Sequence, residues 1–185
     1  MRIISGNWGG RRIQPPANMP HTRPTTDMAR EALFNILANN LDFTSLRTLD
    51  LFAGTGCISY ELASRGATDL TIVEKDPAMH AFITSTFALL GGPAPTILRQ
   101  DVFSFLTQDT GRYDLIFADP PYAIREIEDL PRLVFEEGLL KEGGWFILEH
   151  TTRNDFKGHP FFRLTRKYGT TIFSIFVNRE KPPQA

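Results

Sequence analysis

The sequence has few of the residues that would connect it to a disulfide framework, a metal or a membrane. Cys57 is the one cysteine among 185 residues, so no intrachain disulfide can form. No apolar run is long enough to cross a bilayer, and the first residues do not resemble a signal peptide, so we expect none. The four histidines lack metal-ligand spacing. These absences predict a cytoplasmic protein with no membrane contact and no bound metal.

Acidic residues are scarce at both ends of the chain, although the net charge is only −1. Residues 1–30 carry five arginines and one aspartate, and residues 150–185 carry seven lysines and arginines against two acids. The segment between them has a net charge of −10. Basic ends of this kind suit contacts with nucleic-acid phosphates. For the second end, an ordinary solvated surface explains the charges equally well.

Residues 1–22 are rich in glycine and proline, which disfavour a helix and predict a basic hairpin arm. Trp8 would then be an exposed aromatic that can contact a base. In the alternative, Trp8 covers an edge of the core. The residues predicted to contact nucleic acid are Arg2, Trp8, Arg11, Arg12, Arg23 and Arg30.

The most informative segment is an apolar strand, residues 113–118, that ends in Asp119-Pro120-Pro121-Tyr122. Two prolines cannot continue a strand ladder, so they fix the backbone after Asp119. Strand ends in open parallel sheets face the ligand crevice, where the Asp119 carboxylate and the Pro120 carbonyl can grip one amine. This grip favours a pyramidal nitrogen that can attack in line, and Tyr122 would stack on its ring. The alternative is a helix cap after a proline-terminated strand.

A strand, a glycine turn and a helix lie upstream, at residues 47–52, 53–56 and 57–65. Glycines at such a junction let backbone N–H groups approach a ligand, and Glu74, after the next strand, suits ribose hydroxyls. Position 59 is Ser, so the dinucleotide fingerprint is incomplete and NAD is disfavoured. Asp101 can accept from an adenine amine while the Val102 N–H donates to the ring. Adenosine without pyrophosphate fits this pattern.

Helical and extended segments alternate along the chain, which predicts an α/β protein with a parallel sheet covered on both faces. The predicted helices are residues 26–38, 57–65, 77–90 and 102–108. A fifth strand is predicted at 145–149, after a turn at Gly143 and Gly144. Two extended runs, 162–167 and 170–177, predict an antiparallel hairpin at the sheet edge.

Together these motifs are similar to those of class I S-adenosylmethionine-dependent methyltransferases that act on exocyclic amines. Residues 2–6, 10–13, 23–37, 64–67 and 167–169 more narrowly resemble the RsmD family of bacterial 16S rRNA guanine-N2 methyltransferases, nearly end to end. Thr55 and Cys57 stand where Ser and Ala are expected, and both are small. The resemblance implies a Rossmann-like fold with a mostly parallel seven-stranded sheet, an antiparallel C-terminal edge hairpin and a small N-terminal β-hairpin arm.

The resemblance also implies the domains and the cofactor. The arm is expected at 1–22, the methyltransferase domain at 23–180 and a flexible tail at 181–185. Asp119, Pro120, Pro121 and Tyr122 are the expected catalytic residues. The residues expected to bind S-adenosylmethionine are Arg23, Thr25, Asp50, Ala53, Gly54, Gly56, Glu74, Lys75, Asp101 and Val102.

The base is the remaining chemical question. Guanine presents adjacent N1–H and N2–H donors to one carboxylate, whereas an amide would match adenine better, so Asp119 favours guanine. The target must be unpaired or flipped to expose this edge. By resemblance it is guanine 966 of 16S rRNA, within a small ribosomal subunit or its assembly intermediate.

Three alternatives stay open. A DNA or RNA adenine-N6 methyltransferase and a protein glutamine methyltransferase share the chemistry of this loop. The chain has no room for the usual DNA-recognition insertion, and a glutamine enzyme more usually has Asn at position 119. The third alternative is a non-catalytic RNA-binding assembly factor on the same scaffold.

Overall fold

The computed structural model describes residues 1–18 and 24–179, so Arg23 and the predicted tail, residues 181–185, lie outside the described residues. Seven strands form one sheet: β1 (Arg47–Leu51), β2 (Asp69–Val73), β3 (Thr96–Leu98), β4 (Tyr113–Ala118), β5 (Leu140–His150), β6 (Phe162–Tyr168) and β7 (Thr171–Val177). The α-helices are α1 (Asp27–Asn40), α2 (Cys57–Ser64), α3 (Pro77–Leu90), α4 (Val102–Gln108) and α5 (Leu130–Glu136). Short 3₁₀ turns lie at Phe43–Ser45 and Arg125–Asp129. No helix within the described ranges is long and apolar enough to cross a membrane.

The strand order is β3-β2-β1-β4-β5-β7-β6. Strands β1 to β5 run parallel, and β7 lies antiparallel between β5 and β6. This confirms the predicted mostly parallel seven-stranded sheet with an antiparallel edge hairpin. The order reverses between β1 and β4, and ligands in open α/β sheets bind outside the strand ends at such a point.

Both faces of the sheet are covered, as continuous apolar strands require. Successive side chains of β4 alternate between two cores: Leu115 and Phe117 join the cluster that contains residues of α1, α2 and α3. Ile116 and Ala118 join the cluster that contains residues of α4 and α5. A buried Leu or Phe side chain contributes roughly 1.5–3 kcal/mol, so the two clusters fix the strand register.

Two predictions about the second half of the chain were incomplete. Helix α5 was not predicted, because it has only seven residues and Pro131 lies in its first turn. Strand β5 begins at Leu140 rather than after the glycines, so the turn predicted at Gly143 and Gly144 is part of the strand. Asn178 explains this, since it accepts from the Gly143 N–H at 2.6 Å and donates to the Gly144 carbonyl at 2.9 Å.

Residues 1–13, the first part of the arm predicted at residues 1–22, form a hairpin that is packed against α2. Arg2 and Arg12 form an antiparallel bridge, and Ile3 N–H donates to the Arg11 carbonyl at 2.9 Å. The Glu61 carboxylate, fully buried in α2, accepts from the Ile4 and Ser5 N–H groups at 2.8 and 3.0 Å. A charged acceptor makes these bonds strong. The hairpin is therefore an integral part of the domain.

Candidate active site

Three carboxylates meet at the carboxyl ends of the central strands. Asp50 lies on β1, Asp119 directly follows β4, and Glu149 is the penultimate residue of β5. Strand β4 pairs Ala118 with Leu51 on one side and with Leu148 on the other. The Asp119 N–H donates to the Leu51 carbonyl at 3.3 Å, which anchors the loop that follows. The strand ends thus hold the acids at the point where the strand order reverses.

Burial raises the pKa of each of these carboxyl groups. The pKa of Asp50 is about 7, despite a 2.6 Å hydrogen bond from the Ser59 hydroxyl. The pKa of Glu149 is also about 7, and Thr25 donates to it at 2.6 Å. Burial also raises the pKa of Asp119 well above its usual range, and the charges of Glu149 and Asp50 raise it further. A site with these acids favours a positively charged ligand, whose charge would restore their ionised forms.

The glycine turn after β1 has the backbone conformation of a ligand cradle. Phe52 has φ +56°, which is unusual for a non-glycine residue and is typical of functional sites. The Gly54 N–H donates to Glu74 Oε2 at 2.7 Å, and the Asp76 N–H donates to Oε1 at 2.9 Å. These bonds hold the Glu74 carboxylate next to the turn, and its contact with a ribose stays a prediction.

The two glycines of the turn differ in their surroundings. A Cβ on Gly56, at φ +82°, would lie 2.8 Å from the Tyr60 ring, so the protein itself requires glycine there. A Cβ on Gly54, at φ +57°, would meet only the Phe52 carbonyl oxygen, at 4.0 Å. The space above Gly54 is therefore left open by the protein. It fits a ligand that approaches the backbone closely.

The other predicted cofactor residues surround this turn. Asp101 caps α4 by accepting from the Ser104 N–H at 3.1 Å and remains exposed. Val102 is the first residue of α4, where backbone N–H groups have no partner within the helix. Ala53 is half-buried and donates to the Val73 carbonyl, and Lys75 is exposed. Their contacts with a cofactor stay predictions.

Tyr122 borders a cleft of about 470 Å³ next to the proline loop. Pro120 is buried, Pro121 is exposed, and the Pro121 carbonyl accepts from the Ile124 N–H at 3.2 Å. Two basic side chains, Arg153 and Lys167, line the same cleft. Part of the basic C-terminal segment therefore faces the candidate site.

The residues predicted to contact nucleic acid do not all lie on the surface. Arg30 is only 1% exposed and is engaged by Asp27 at 3.0 Å and Glu61 at 3.8 Å. Its predicted role in direct RNA contact is wrong, because an arginine buried in ion pairs cannot reach phosphates. Trp8 is half-buried with its ring edge against Phe87, at 6.4 Å between centroids, as in the packing alternative.

The remaining arginines of the hairpin are exposed. Arg2 lies 3.5 Å from Asp27. Arg11 and Arg12 line a second cleft, of about 340 Å³, between the hairpin and α3. Met1, at the open end of the hairpin, lies 4.0 Å from the Thr55 hydroxyl of the glycine turn. RNA contact by Arg2, Arg11 and Arg12 stays a prediction.

Glu149 was missed as a site residue by the sequence analysis. The signal was present, since an apolar strand ending in an acid is also the pattern of β4 and Asp119. The sequence could not show the hydrogen-bond partner of Glu149, because the buried Thr25 lies 124 residues away along the chain. Among the described residues, no group of three or more His, Cys, Asp or Glu side chains has an arrangement that could hold a metal ion.

The strand order, the glycine turn with its acid, and the carboxylate-proline loop together define a class I methyltransferase. The family model described as "Conserved hypothetical protein 95" matches residues 1–177. The chain belongs to this family, which is the RsmD family that the motifs predicted.

Individual relatives agree with the family. The chain is 33% identical to "Ribosomal RNA small subunit methyltransferase D" of Escherichia coli, over 83% of this chain and 76% of that protein. It is 32% identical to "Putative rRNA methyltransferase YlbH" of Bacillus subtilis, over 97% of this chain and all of that protein. A solved "Putative methyltransferase yhhF from Escherichia coli" has a TM-score of 0.85 and 27% identity, over 97% and 98% of the two chains.

Proposed function

We propose that this protein transfers a methyl group from S-adenosylmethionine to the N2 amine of a guanine in small-subunit rRNA. The observation that carries the proposal is Asp119, a carboxylate held at the β4 strand end between Asp50 and Glu149. Class I methyltransferases use S-adenosylmethionine, and the family names of the relatives support an rRNA substrate. Guanine 966 and the N2 position rest on the resemblance and on the chemistry of Asp119.

The chain's own groups fit the cofactor. The open space at Gly54 admits the cofactor next to the backbone, Glu74 can accept from ribose hydroxyls, and Asp101 can accept from the adenine amine. The bound cofactor supplies an electrophilic methyl group on a positively charged sulfur. The carboxylates at the strand ends match that positive charge.

The ionised Asp119 carboxylate accepts hydrogen bonds from guanine N1–H and N2–H. The Pro120 carbonyl can accept from the second N2 hydrogen, which leaves the nitrogen lone pair free to attack. Proline fixes this carbonyl before the substrate arrives, so little ordering is needed on binding. Tyr122 can stack on the base and set its plane.

The cleft beside Tyr122 supports an RNA substrate. Arg153 and Lys167 line it, so a strand that delivers its base to Asp119 would carry its phosphates past two cations. Each such contact adds affinity that weakens as salt increases. This arrangement favours RNA over a glutamine side chain, which has no phosphates.

A second candidate, adenine-N6 methylation of RNA, is favoured by the raised pKa of Asp119. A protonated carboxyl is both a donor and an acceptor, so it matches the N1 acceptor and N6 amine of adenine. A cationic cofactor lowers the pKa of nearby acids and returns Asp119 to the form that matches guanine. The protonation state of Asp119 during reaction therefore decides between the two bases.

The decisive experiment incubates the protein with tritiated S-adenosylmethionine and unmethylated 16S rRNA, free or in 30S particles. Digestion to nucleosides followed by chromatography identifies the product. We expect the label in N2-methylguanosine, and Asp119→Asn serves as the inactive control. Label in N6-methyladenosine would establish the second candidate, and label in protein would contradict both. Primer-extension mapping then tests position 966.

The RNA side of the site is tested separately. We expect Arg153→Gln with Lys167→Gln to raise KM for rRNA several-fold, to leave kcat nearly unchanged and to flatten the salt dependence of binding. Arg132→Gln is the matched control, because Arg132 is an exposed cation on α5 that pairs with Asp129 and Glu136. An equal rise of KM in the double variant and in Arg132→Gln would contradict a role of this cleft in RNA binding.

A further inference from the structure

Glu149 and Asp119 project from neighbouring strands to the same face of the sheet. Strands β4 and β5 pair Ala118 with Leu148, so the two acids follow at the same level. Side chains alternate along a strand, and Phe117 and Ile147, two residues earlier, belong to one core cluster. The two carboxylates are therefore neighbours, and the charge of Glu149 is the larger of the two that raise the pKa of Asp119.

Glu149 is almost fully buried, yet only one of its oxygens has a partner. Its exposed fraction is 1%. Oε2 accepts from the Thr25 hydroxyl at 2.6 Å, whereas Oε1 has no hydrogen-bond partner among residues 1–18 and 24–179. A buried oxygen without a partner destabilises the fold. Packing alone therefore does not account for an acid at this position.

The groups around this pair contain little compensating positive charge. Asp50 approaches from β1 and Cys57 from the start of α2. Burial raises the pKa of the Cys57 thiol to about 12, the charge of Arg30 lowers it, and the charges of Asp50, Asp119 and Glu149 raise it. The buried cation of α1, Arg30, is bound by acids other than this pair. Thr25 precedes α1, and the β7 residue opposite Glu149 is Phe173, which has no charge. Among the charges that act on Asp119, that of Glu149 has the largest effect.

We propose that Glu149 is a positioning residue that acts through Asp119 and makes Asp119 the acceptor of the proton that the target amine loses. The inference rests on the proposed function. A buried negative charge beside Asp119 disfavours its ionised form and so increases its affinity for a proton. Because Glu149 is buried, little water screens its side of the interaction, which strengthens it. Thr25 holds Glu149 in the orientation that this effect requires.

The step balances in atoms and charge. A nitrogen–carbon bond forms, the methyl–sulfur bond breaks, and its electron pair remains on sulfur as a neutral thioether. The methylated nitrogen loses one proton to the Asp119 carboxylate. The site thus loses one positive and one negative charge together. Without the cation, two adjacent ionised carboxylates would repel each other, and proton uptake by Asp119 removes that repulsion.

The first test measures Asp119 in the protein without cofactor or RNA. Carboxyl carbons of aspartate are labelled with ¹³C, and Asp119 is assigned by comparison with Asp119→Asn. In Glu149→Gln, which keeps the size of the side chain and an acceptor for Thr25, we expect the pKa of Asp119 to fall by about one unit or more. An unchanged pKa would overturn the proposal, because a purely structural Glu149 would not change the titration.

The second test follows the pH dependence of methyl transfer. We expect Glu149→Gln to shift the acidic limb of kcat/KM to lower pH and to lower the maximal rate by about 10- to 100-fold, within the range of general-base catalysis. Glu149→Asp, which restores the charge, should recover part of the rate. Affinity for S-adenosylhomocysteine, which lacks the sulfonium charge, should change by less than about threefold.

Glu142→Gln is the matched control, because Glu142 lies exposed on the same strand. It should leave the Asp119 titration and the rate unchanged. A lower pKa of Asp119 without a change in rate or profile would refute the role in proton acceptance. If the wild-type protein does not methylate guanine, the proposed function is refuted but the role of Glu149 is not. That role is still decided by the titration of Asp119 and by the pH profile of kcat/KM, measured on the amine that is methylated.

Discussion

The Thr25 hydroxyl donates a 2.6 Å hydrogen bond to Glu149, which joins the segment before α1 to the end of β5. Both residues are almost fully buried. Thr25 was predicted to contact the cofactor, whereas in the structure it orients an acid of the candidate site. The entry of the chain into α1 is thereby coupled to the strand ends where methyl transfer is proposed.

The two glycines of the turn after β1 should respond differently to alanine. Gly56→Ala should destabilise the fold, because the new Cβ would overlap the Tyr60 ring and the backbone has positive φ. Gly54→Ala should cost only the strain of its positive φ, about 1 kcal/mol, but should weaken S-adenosylmethionine binding at least tenfold. Urea unfolding and calorimetric titration measure the two effects. Equal loss of stability in both variants would contradict the open space at Gly54.

Stability should depend on pH through Asp50. Its pKa is about 7 in the folded protein, above its usual value of 3.8, so the folded state binds the proton more tightly than the unfolded state. The free energy of unfolding should therefore fall as pH rises from about 4 to about 7. Asp50→Asn removes this dependence and should stabilise the protein at pH 8 by a few kcal/mol, but not at pH 4.

Urea unfolding across this pH range measures the effect of Asp50. The pKa values of His150 and His159 are lowered by burial, and these residues act in the opposite direction. They are present in both proteins, so their contribution cancels in the difference between wild type and variant. A difference that does not vary with pH would contradict the raised pKa.

Glu61 should be essential for docking of the N-terminal hairpin. Its buried carboxylate accepts from two hairpin N–H groups and lies 2.9 Å from Arg65 Nε. Glu61→Ala leaves the hairpin N–H donors without their acceptor and removes one of the two acids that pair with the buried Arg30, which should cost about 3–5 kcal/mol. Hydrogen exchange at residues 3–5 should accelerate. Glu137→Ala, at an exposed position, should change neither quantity.

Tyr122 should contribute through its ring. Tyr122→Ala should raise KM for rRNA by about 5- to 100-fold, the range that corresponds to a stacking energy of about 1–3 kcal/mol. Tyr122→Phe keeps the ring and should stay within about threefold of wild type. Steady-state kinetics on 30S particles measures KM for the two variants. If Phe is as damaging as Ala, the hydroxyl rather than the stacked ring is responsible.

Local patterns predicted most of the elements correctly. Helices α3 and α4 have their predicted bounds, because Asp76 and Asp101 cap them directly after short strands. Helix α5 and the first part of β5 were missed. Judged from neighbouring residues alone, Pro131 predicts the end of a helix, and Gly143 and Gly144 predict the end of a strand. Asn178, which keeps residues 143 and 144 in the sheet, lies more than 30 residues away.

The sequence by itself determined most of the succession of strands and helices along the chain and the chemistry at the strand ends. The apolar run that contains Asp50 and the runs followed by Glu74 and Asp119 carry that information within a few residues, because strand, turn and helix preferences are local. Only the tertiary structure decided which charges are buried. Arg30 is sequestered by Glu61, and Glu149 is placed beside Asp119 by strand pairing. Burial and charge proximity depend on contacts between distant segments, and these two quantities set the pKa values on which the proposed chemistry depends.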